Sequence, residues 1–336
     1  HRKNMPARTT PGQTRTRSAL PFPCLGGSDK SAMGAKLRIG TANVGTMRGR
    51  SGEIVEMAER RHLDFCCLQE TRWKGGSART LGSHKFFWMG CEEGISGVGV
   101  LVAESWVEKV LEVKRVSERL MVVRVIIGKS VLNLVSVYAP QVGRAMEEKE
   151  EFFISLGKIL SSIGAGEHLI VCGDMNGHVG TRTDGFEGVH GGCGYGKRNV
   201  EGDMLLEFAD AMDLAVANTW FKKEDGKLVT YESGDNKTVV DYILVRKSER
   251  SMFRNVTVMQ GEPSLQQHRL LVCMLELKES VKKKREVFVS RCRVWKLKEA
   301  KIREEFQARI EDSLDRRGDG DVDTAWGGLK DCLLKV

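Results

Sequence analysis

The stretch Leu169-Ile170-Val171-Cys172-Gly173-Asp174-Met175-Asn176-Gly177 decides how the rest of the chain is read. Four apolar residues make a short buried strand, and the polar and glycine residues after them end it. An Asx turn is the ordinary reading of such an ending. In an extended chain, however, side chains two residues apart lie on one side. Asp174 and Asn176 then face the same space, where the carboxylate can take a proton from water and the amide can orient that water or a phosphate.

Working outward, four more segments repeat the plan of an apolar run ending in polar groups. They are Thr41-Ala42-Asn43-Val44-Gly45, Leu68-Gln69-Glu70-Thr71, Val137-Tyr138-Ala139-Pro140 and Asp241-Tyr242, with His268 after them. Singly, each has a plain reading: a solvated charge for Glu70, a turn former for Asn43, a packed aromatic for Tyr138, a core or surface histidine for His268. Together they bring two amides, three carboxylates, a phenol and an imidazole to strand ends, where a sheet can converge them. Phosphodiester hydrolysis asks for charge neutralisation on the phosphate oxygens and an in-line water. Oxygen donors suit Mg²⁺, which takes one or two protein carboxylates, and Glu70 fits that role. Asp241 can hold the tautomer of His268, leaving the ring to donate to a phosphate oxygen. The set predicts a metal-dependent phosphodiesterase whose target is nucleic acid.

Composition narrows the setting. The chain has 336 residues and a net charge of +8. Residues 1–36 hold seven basic residues and one acidic residue, and residues 279–336 hold fifteen and twelve. Residues 37–278 hold 31 basic and 32 acidic residues, so the excess charge sits at the ends. Basic ends add salt-sensitive attraction to phosphates; a merely solubilising tail is the alternative. No stretch approaches the run of about 18 apolar residues that a membrane span needs. The nine cysteines show no metal-ligand spacing, and Cys66, Cys67, Cys172 and Cys273 lie in apolar runs. This suggests a reducing, intracellular setting, and basic clusters such as Lys282–Arg285 suggest the nucleus. Residues 1–28 loosely resemble a transit peptide, but Pro6, Pro11, Pro21 and Pro23 would break its helix. The chain begins at His1 instead of Met, as a piece of a longer product would.

Four of six prolines fall before residue 24, and 1–36 reads as disordered. Strands are expected at 37–44, 64–70, 98–103, 122–127, 132–139, 168–173, 214–218, 238–246, 255–260 and 269–277. Helices are expected from a cap at Ser51, at 147–163 and at 201–212. Such mixing favours two packed sheets flanked by helices. Residues 279–336 read as a charged linker and helical extension, with a helix over 295–314.

These segments, with Ser96-Gly97-Val98-Gly99-Val100, resemble the endonuclease/exonuclease/phosphatase superfamily, which includes abasic-site endonucleases and deoxyribonuclease I. The resemblance spans 37–278. It implies a four-layered α/β sandwich using Mg²⁺ or Mn²⁺, with Glu70 and Asn43 at the metal, Asp174 as proton acceptor and Asn176 as orienting amide. Tyr138 is then a phosphate-side residue, and Asp241 with His268 forms an Asp–His pair. A narrower likeness comes from Gly196-Lys197-Arg198-Asn199-Val200-Glu201-Gly202, Ala217-Asn218-Thr219-Trp220-Phe221 and Gln267-His268-Arg269-Leu270. These are similar to RTE-type non-LTR retrotransposon endonuclease domains and to craniofacial development protein 2-like proteins. The resemblance implies a DNA endonuclease of the abasic-site or retrotransposon type. Two departures remove negative charge: Gln267 stands where many members have Asp, and Gly45 where abasic-site enzymes often have Asp. They keep open a domesticated nucleic-acid- or chromatin-binding domain, and the fold also serves phosphatases of small phosphate esters. Residues 191–197 mimic the start of a phosphate-binding P-loop, but Arg198 replaces its Ser/Thr. Lys197 and Arg198 are expected instead to touch a nucleic-acid backbone.

Overall fold

A computed structural model describes residues 35–277 and 300–315. In chain order the elements begin β1 (Ala35–Asn43), α1 (Ser51–Arg60), β2 (Phe65–Gln69), β3 (Gly76–Leu81), β4 (His84–Met89) and β5 (Val98–Ala103). Next come α2 (Glu104–Val107), β6 (Val110–Ser117), β7 (Leu120–Ile127), β8 (Ser130–Tyr138), α3 (Met146–Ser161) and β9 (His168–Asp174). The chain continues with α4 (Val200–Ala211), β10 (Leu214–Val216), β11 (Tyr231–Ser233), β12 (Asn236–Thr238) and β13 (Asp241–Arg246). The last elements are β14 (Phe253–Met259), β15 (Leu270–Leu277) and α5 (Ala300–Asp315).

Two mixed sheets form the body. One has seven strands in the order β14-β15-β1-β2-β5-β4-β3, and the other six in the order β10-β13-β9-β8-β7-β6. Strands of the Phe65-Cys66-Cys67-Leu68-Gln69 kind are apolar on both faces, as they must be when each face is covered. Alternate residues therefore feed different cores. Ile39, Phe65, Cys67, Val100, Leu134, Cys172, Ile243 and Cys273 pack between the sheets. On the outer face of the seven-stranded sheet, Leu68, Phe86, Leu101 and Val272 meet Ile54, Val55, Met57 and Ala58 of α1. On the outer face of the six-stranded sheet, Val135, Val171 and Leu244 meet Phe152, Leu156 and Leu160 of α3 and Leu205 and Leu206 of α4. Helix, sheet, sheet, helix is the four-layered α/β sandwich that the sequence predicts.

Differences from expectation are local. The strand β1 starts at Ala35, two residues inside the segment read as disordered; residues 1–34 lie outside the described residues, as do 278–299 and 316–336. Helix α1 is capped at Arg50 with no side-chain bond, so Ser51 opens the helix instead of capping it. The strand expected over 214–218 stops at Val216, because Asn218 turns its side chain onto β13. Five strands have no counterpart in the expectation: β3, β4, β6, β11 and β12. Cys66, Cys67, Cys172 and Cys273 are buried free thiols.

Candidate active site

Strand register brings the predicted residues together. Tyr138 pairs with Asp174 across β8 and β9, and Asp174 pairs with Asp241 across β9 and β13. Paired residues face the same side of a sheet, and here it is the side that carries Leu134, Cys172 and Ile243 toward the other sheet. Gly173 permits the close approach, since a Cβ there would meet the Val137 carbonyl oxygen at 1.9 Å. In the facing sheet, Asn43 pairs with Gln69 across parallel β1 and β2. Glu70 follows immediately. All of these side chains thus emerge at one end of the cleft between the sheets, above a buried polar row of Thr41, Gln69 and Ser136.

Among the described residues, three of the five non-glycine left-handed positions fall at this place, the other two being His62 and Asp213. Glu70, Arg72 and Asn176 are non-glycine residues with φ of 51°, 54° and 48°. Each left-handed residue costs roughly 1–2 kcal/mol, and such residues concentrate where function over-determines the backbone.

The hydrogen bonds link the two sheets. Asn43 Nδ2 donates to Glu70 Oε1 at 2.9 Å and to Asp174 Oδ2 at 3.1 Å. Tyr138 donates its hydroxyl to the same Glu70 Oε1 at 2.9 Å. Asn176 donates its backbone N–H to Asp174 Oδ1 at 3.0 Å and its side-chain amide to the Ala139 carbonyl at 2.9 Å. His268 places Nδ1 2.9 Å from Asp241 Oδ2 and Nε2 3.8 Å from Asp174 Oδ2.

Electrostatics follow from burial and crowding. Burial, and after it the neighbouring Asp241 charge, pushes the Asp174 carboxyl up to about 7, against the pull of His268 and Asn43. Burial opposes a charge on His268, but Asp241 and, behind it, Asp174 and Glu70 outweigh it and lift the imidazole to about 9. Glu70 is also disfavoured by burial, yet hydrogen bonds from Asn43, Arg72 and Tyr138 hold it below the usual carboxylate range.

Asp174, Asp241 and His268 offer ligand atoms within 4.8 Å of one another. Nδ1 of His268 is already taken up by Asp241, and the raised pKa favours the imidazolium, which gives hydrogen bonds instead of a lone pair. Among the described residues, Asp241 Oδ1 is buried and receives no hydrogen bond. Three carboxylates (Glu70, Asp174 and Asp241) face two side-chain cations, His268 and Arg72. That negative surplus and the unsatisfied oxygen suit a hard divalent cation, with Glu70 and Asn43 supplying oxygens on the open side.

Lys197 and Arg198 lie on the loop before α4. Arg198 is turned inward: it donates to the carbonyls of Val179 and Arg182 and stacks on Phe186, while Lys197 is exposed. Gln267 is exposed and donates to Ser233 Oγ at 3.1 Å, away from the carboxylates.

Residues that sequence reasoning did not assign to the site also build it. Asn218 clamps β13 by donating to the Asp241 carbonyl and accepting from the Ile243 N–H. Thr230 Oγ1 accepts from the N–H groups of Val240 and Asp241. Tyr231 meets the His268 ring edge-on, with centroids 4.9 Å apart. Asn218 sits in one of the family-like segments and so left a trace; Thr230 and Tyr231 left none.

This fold and this set of side chains define a class, the four-layered α/β sandwiches that carry a polar site at one end of two facing sheets. The chain belongs to the Endonuclease/Exonuclease/phosphatase family, whose model matches residues 40–252. Enzymes of that family generally use divalent metals. Craniofacial development protein 2 of Bos taurus is 27% identical over 244 residues, covering 71% of this chain and 41% of the relative. The Tragulus javanicus protein of the same name is 26% identical, covering 74% and 45%. The chain therefore spans less than half the length of these relatives. Among solved structures, AP endonuclease LMAP from Leishmania major aligns with a TM-score of 0.55 at 13% identity, over 72% of this chain and 88% of that one. The endonuclease domain of TRAS1, a telomere-specific non-LTR retrotransposon, aligns at 0.52 and 16% identity, over 72% and 99%.

Proposed function

We propose that the chain is a divalent-metal-dependent phosphodiesterase that cleaves DNA, as an endonuclease of the abasic-site or retrotransposon type. The observation that carries the reading is Asp174: a buried carboxyl titrating near 7, one strand from Tyr138 and one from Asp241. A general base works best with a pKa near the operating pH. Asp174 takes the proton of a water lined up on phosphorus. Asn176, its backbone already bonded to Asp174, orients that water. His268, held through Nδ1 by Asp241, points Nε2–H at the oxygen where negative charge gathers. Tyr138 donates on the Glu70 side of the phosphate. Glu70 and Asn43 would hold Mg²⁺ or Mn²⁺, which neutralises phosphate charge when bound.

DNA as the substrate is supported by the basic ends of the sequence and by the nature of the neighbours. A Neisseria 3′ phosphatase of similar fold (TM-score 0.54, 16% identity) was solved with a product DNA hairpin, and TRAS1 belongs to a retrotransposon. Lys197 is proposed to contact the DNA backbone, with Arg198 shaping the loop. An intracellular, nuclear setting is proposed with it, on basic clusters such as Lys282–Arg285. The outward turn of Gln267 favours a second reading, a domesticated DNA- or chromatin-binding domain with weak catalysis.

The test is nicking of supercoiled plasmid, with and without an abasic site, in Mg²⁺ and in EDTA. Asp174→Ala and His268→Ala are each expected to lower the rate about 10²- to 10⁴-fold. Absence of nicking with salt-sensitive DNA binding retained would favour the binding module. Absence of both would direct the search to small phosphate esters.

A further inference from the structure

Arg72 is the one side-chain cation in ion-pair contact with Glu70 among the described residues, and its position is built. Its NH2 lies 3.0 Å from Glu70 Oε2, on the carboxylate oxygen that neither Asn43 nor Tyr138 uses. Glu70 and Arg72 both adopt left-handed φ, and the residue between them, Thr71, is fully buried. The strap is fixed from both sides. Thr71 and Arg72 donate N–H bonds to the carbonyls of Gly97 and Ser96, each at 3.1 Å, and Met47 N–H donates to the Thr71 carbonyl at 2.9 Å. Arg48 Nε closes on the Arg72 carbonyl at 2.8 Å. The backbone therefore cannot carry Arg72 away from Glu70, while its side chain is free to swing, being 47% exposed against 16% for Glu70. Both residues line a cavity of about 370 Å³ together with Arg119, Tyr138 and Arg144.

We propose that Arg72 is a tethered counter-ion that occupies Glu70 until a divalent cation displaces it, so that it sets the concentration of metal the site requires. This rests on the reading of Glu70 as a metal ligand. A fixed positive charge beside a cation site both repels the cation and competes for its carboxylate. Loading the site frees the guanidinium toward the cavity, which Glu93 and Glu118 also line.

The experiment is calorimetric titration of the whole chain with MnCl₂, without nucleic acid, for wild type, Arg72→Asn, Arg72→Lys and Glu70→Gln. Asparagine tolerates the left-handed backbone, and Arg72→Lys keeps the cation, so folding and charge effects separate. Arg72→Asn is expected to bind Mn²⁺ about fivefold more tightly, the scale of one partly exposed ion pair, and Arg72→Lys to stay near wild type. Equal or weaker binding by Arg72→Asn overturns the proposal, and if Glu70→Gln then still abolishes binding, the metal site itself stands. Binding by Arg72→Asn where wild type shows none supports the proposal in its strongest form. Binding by neither overturns both readings.

Discussion

Asp174 is where residue-level energetics and function pull apart. Its carboxyl is raised to about 7 in the folded chain, above the unfolded value of about 4. A raised pKa contributes stability that is complete below pH 4 and is lost as pH climbs through 7. Above neutrality the metal-free protein thus holds an ionised carboxylate at a cost. Asp174→Asn removes that group. In EDTA it should melt roughly 3–6 °C higher than wild type at pH 8, with the gap closing as pH falls toward 4, while nicking is lost. A pH series of calorimetric melts checks this; a gap that does not vary with pH would count against the assignment. At this scale the sequence is most legible where chemistry is concentrated, as in Asp174, Glu70 and His268. Arg72 was not legible, because a charged residue after a strand looks like any solvated charge until its partner is known. The inward turn of Arg198 was hidden for the same reason.

Elements deliver the site's residues, and the loop that delivers His268 is braced by α1. Glu262 is buried, 2% exposed, between Arg60 at 2.7 Å and Arg61 of that helix's C-terminal end. Arg50, at its start, reaches the Ser264 carbonyl. Glu262→Gln leaves two guanidinium groups without their carboxylate. Because the arginines are partly exposed, the loss is discounted to about 1–3 kcal/mol, or roughly 2–8 °C in melting temperature. The expected kinetic effect is a severalfold fall in kcat with KM little changed, measured by steady-state nicking. Partners 201 residues apart leave no pattern in a linear chain. Element boundaries were legible where apolar runs are long, as in β8 and β9. They failed where the run is interrupted: β3 is exposed at every residue but half-buried Leu81, and β6 carries register shifts at Val110/Glu112 and Arg115/Ser117 that break its alternation.

For the whole molecule, charge is segregated by position along the chain. Residues 37–278 are nearly balanced, and the excess lies in residues 1–36 and 279–336. Non-specific DNA affinity should then come chiefly from the ends, each phosphate contact adding about 0.9 to the slope of log affinity against log salt. Removing residues 1–34 is expected to flatten that slope and weaken binding tenfold or more at 0.1 M salt, about the scale of two or three contacts. Cleavage at low salt should survive. Filter binding across a salt series, run beside the nicking assay, checks both halves. The layered architecture was legible because helices mixed with many short apolar strands call for two packed sheets flanked by helices; the order of strands within each sheet was not, since nothing local specifies which strand neighbours which.

The pairing of Tyr138, Asp174 and Asp241 across three neighbouring strands has a consequence for inheritance. Gain or loss of a single residue within β8, β9 or β13 turns every side chain beyond it to the opposite face. Loops between these strands can lengthen or shrink from one descendant to the next with the chemistry intact. The strands themselves tolerate such editing poorly, so a one-residue insertion or deletion there forfeits the three-way pairing at a stroke.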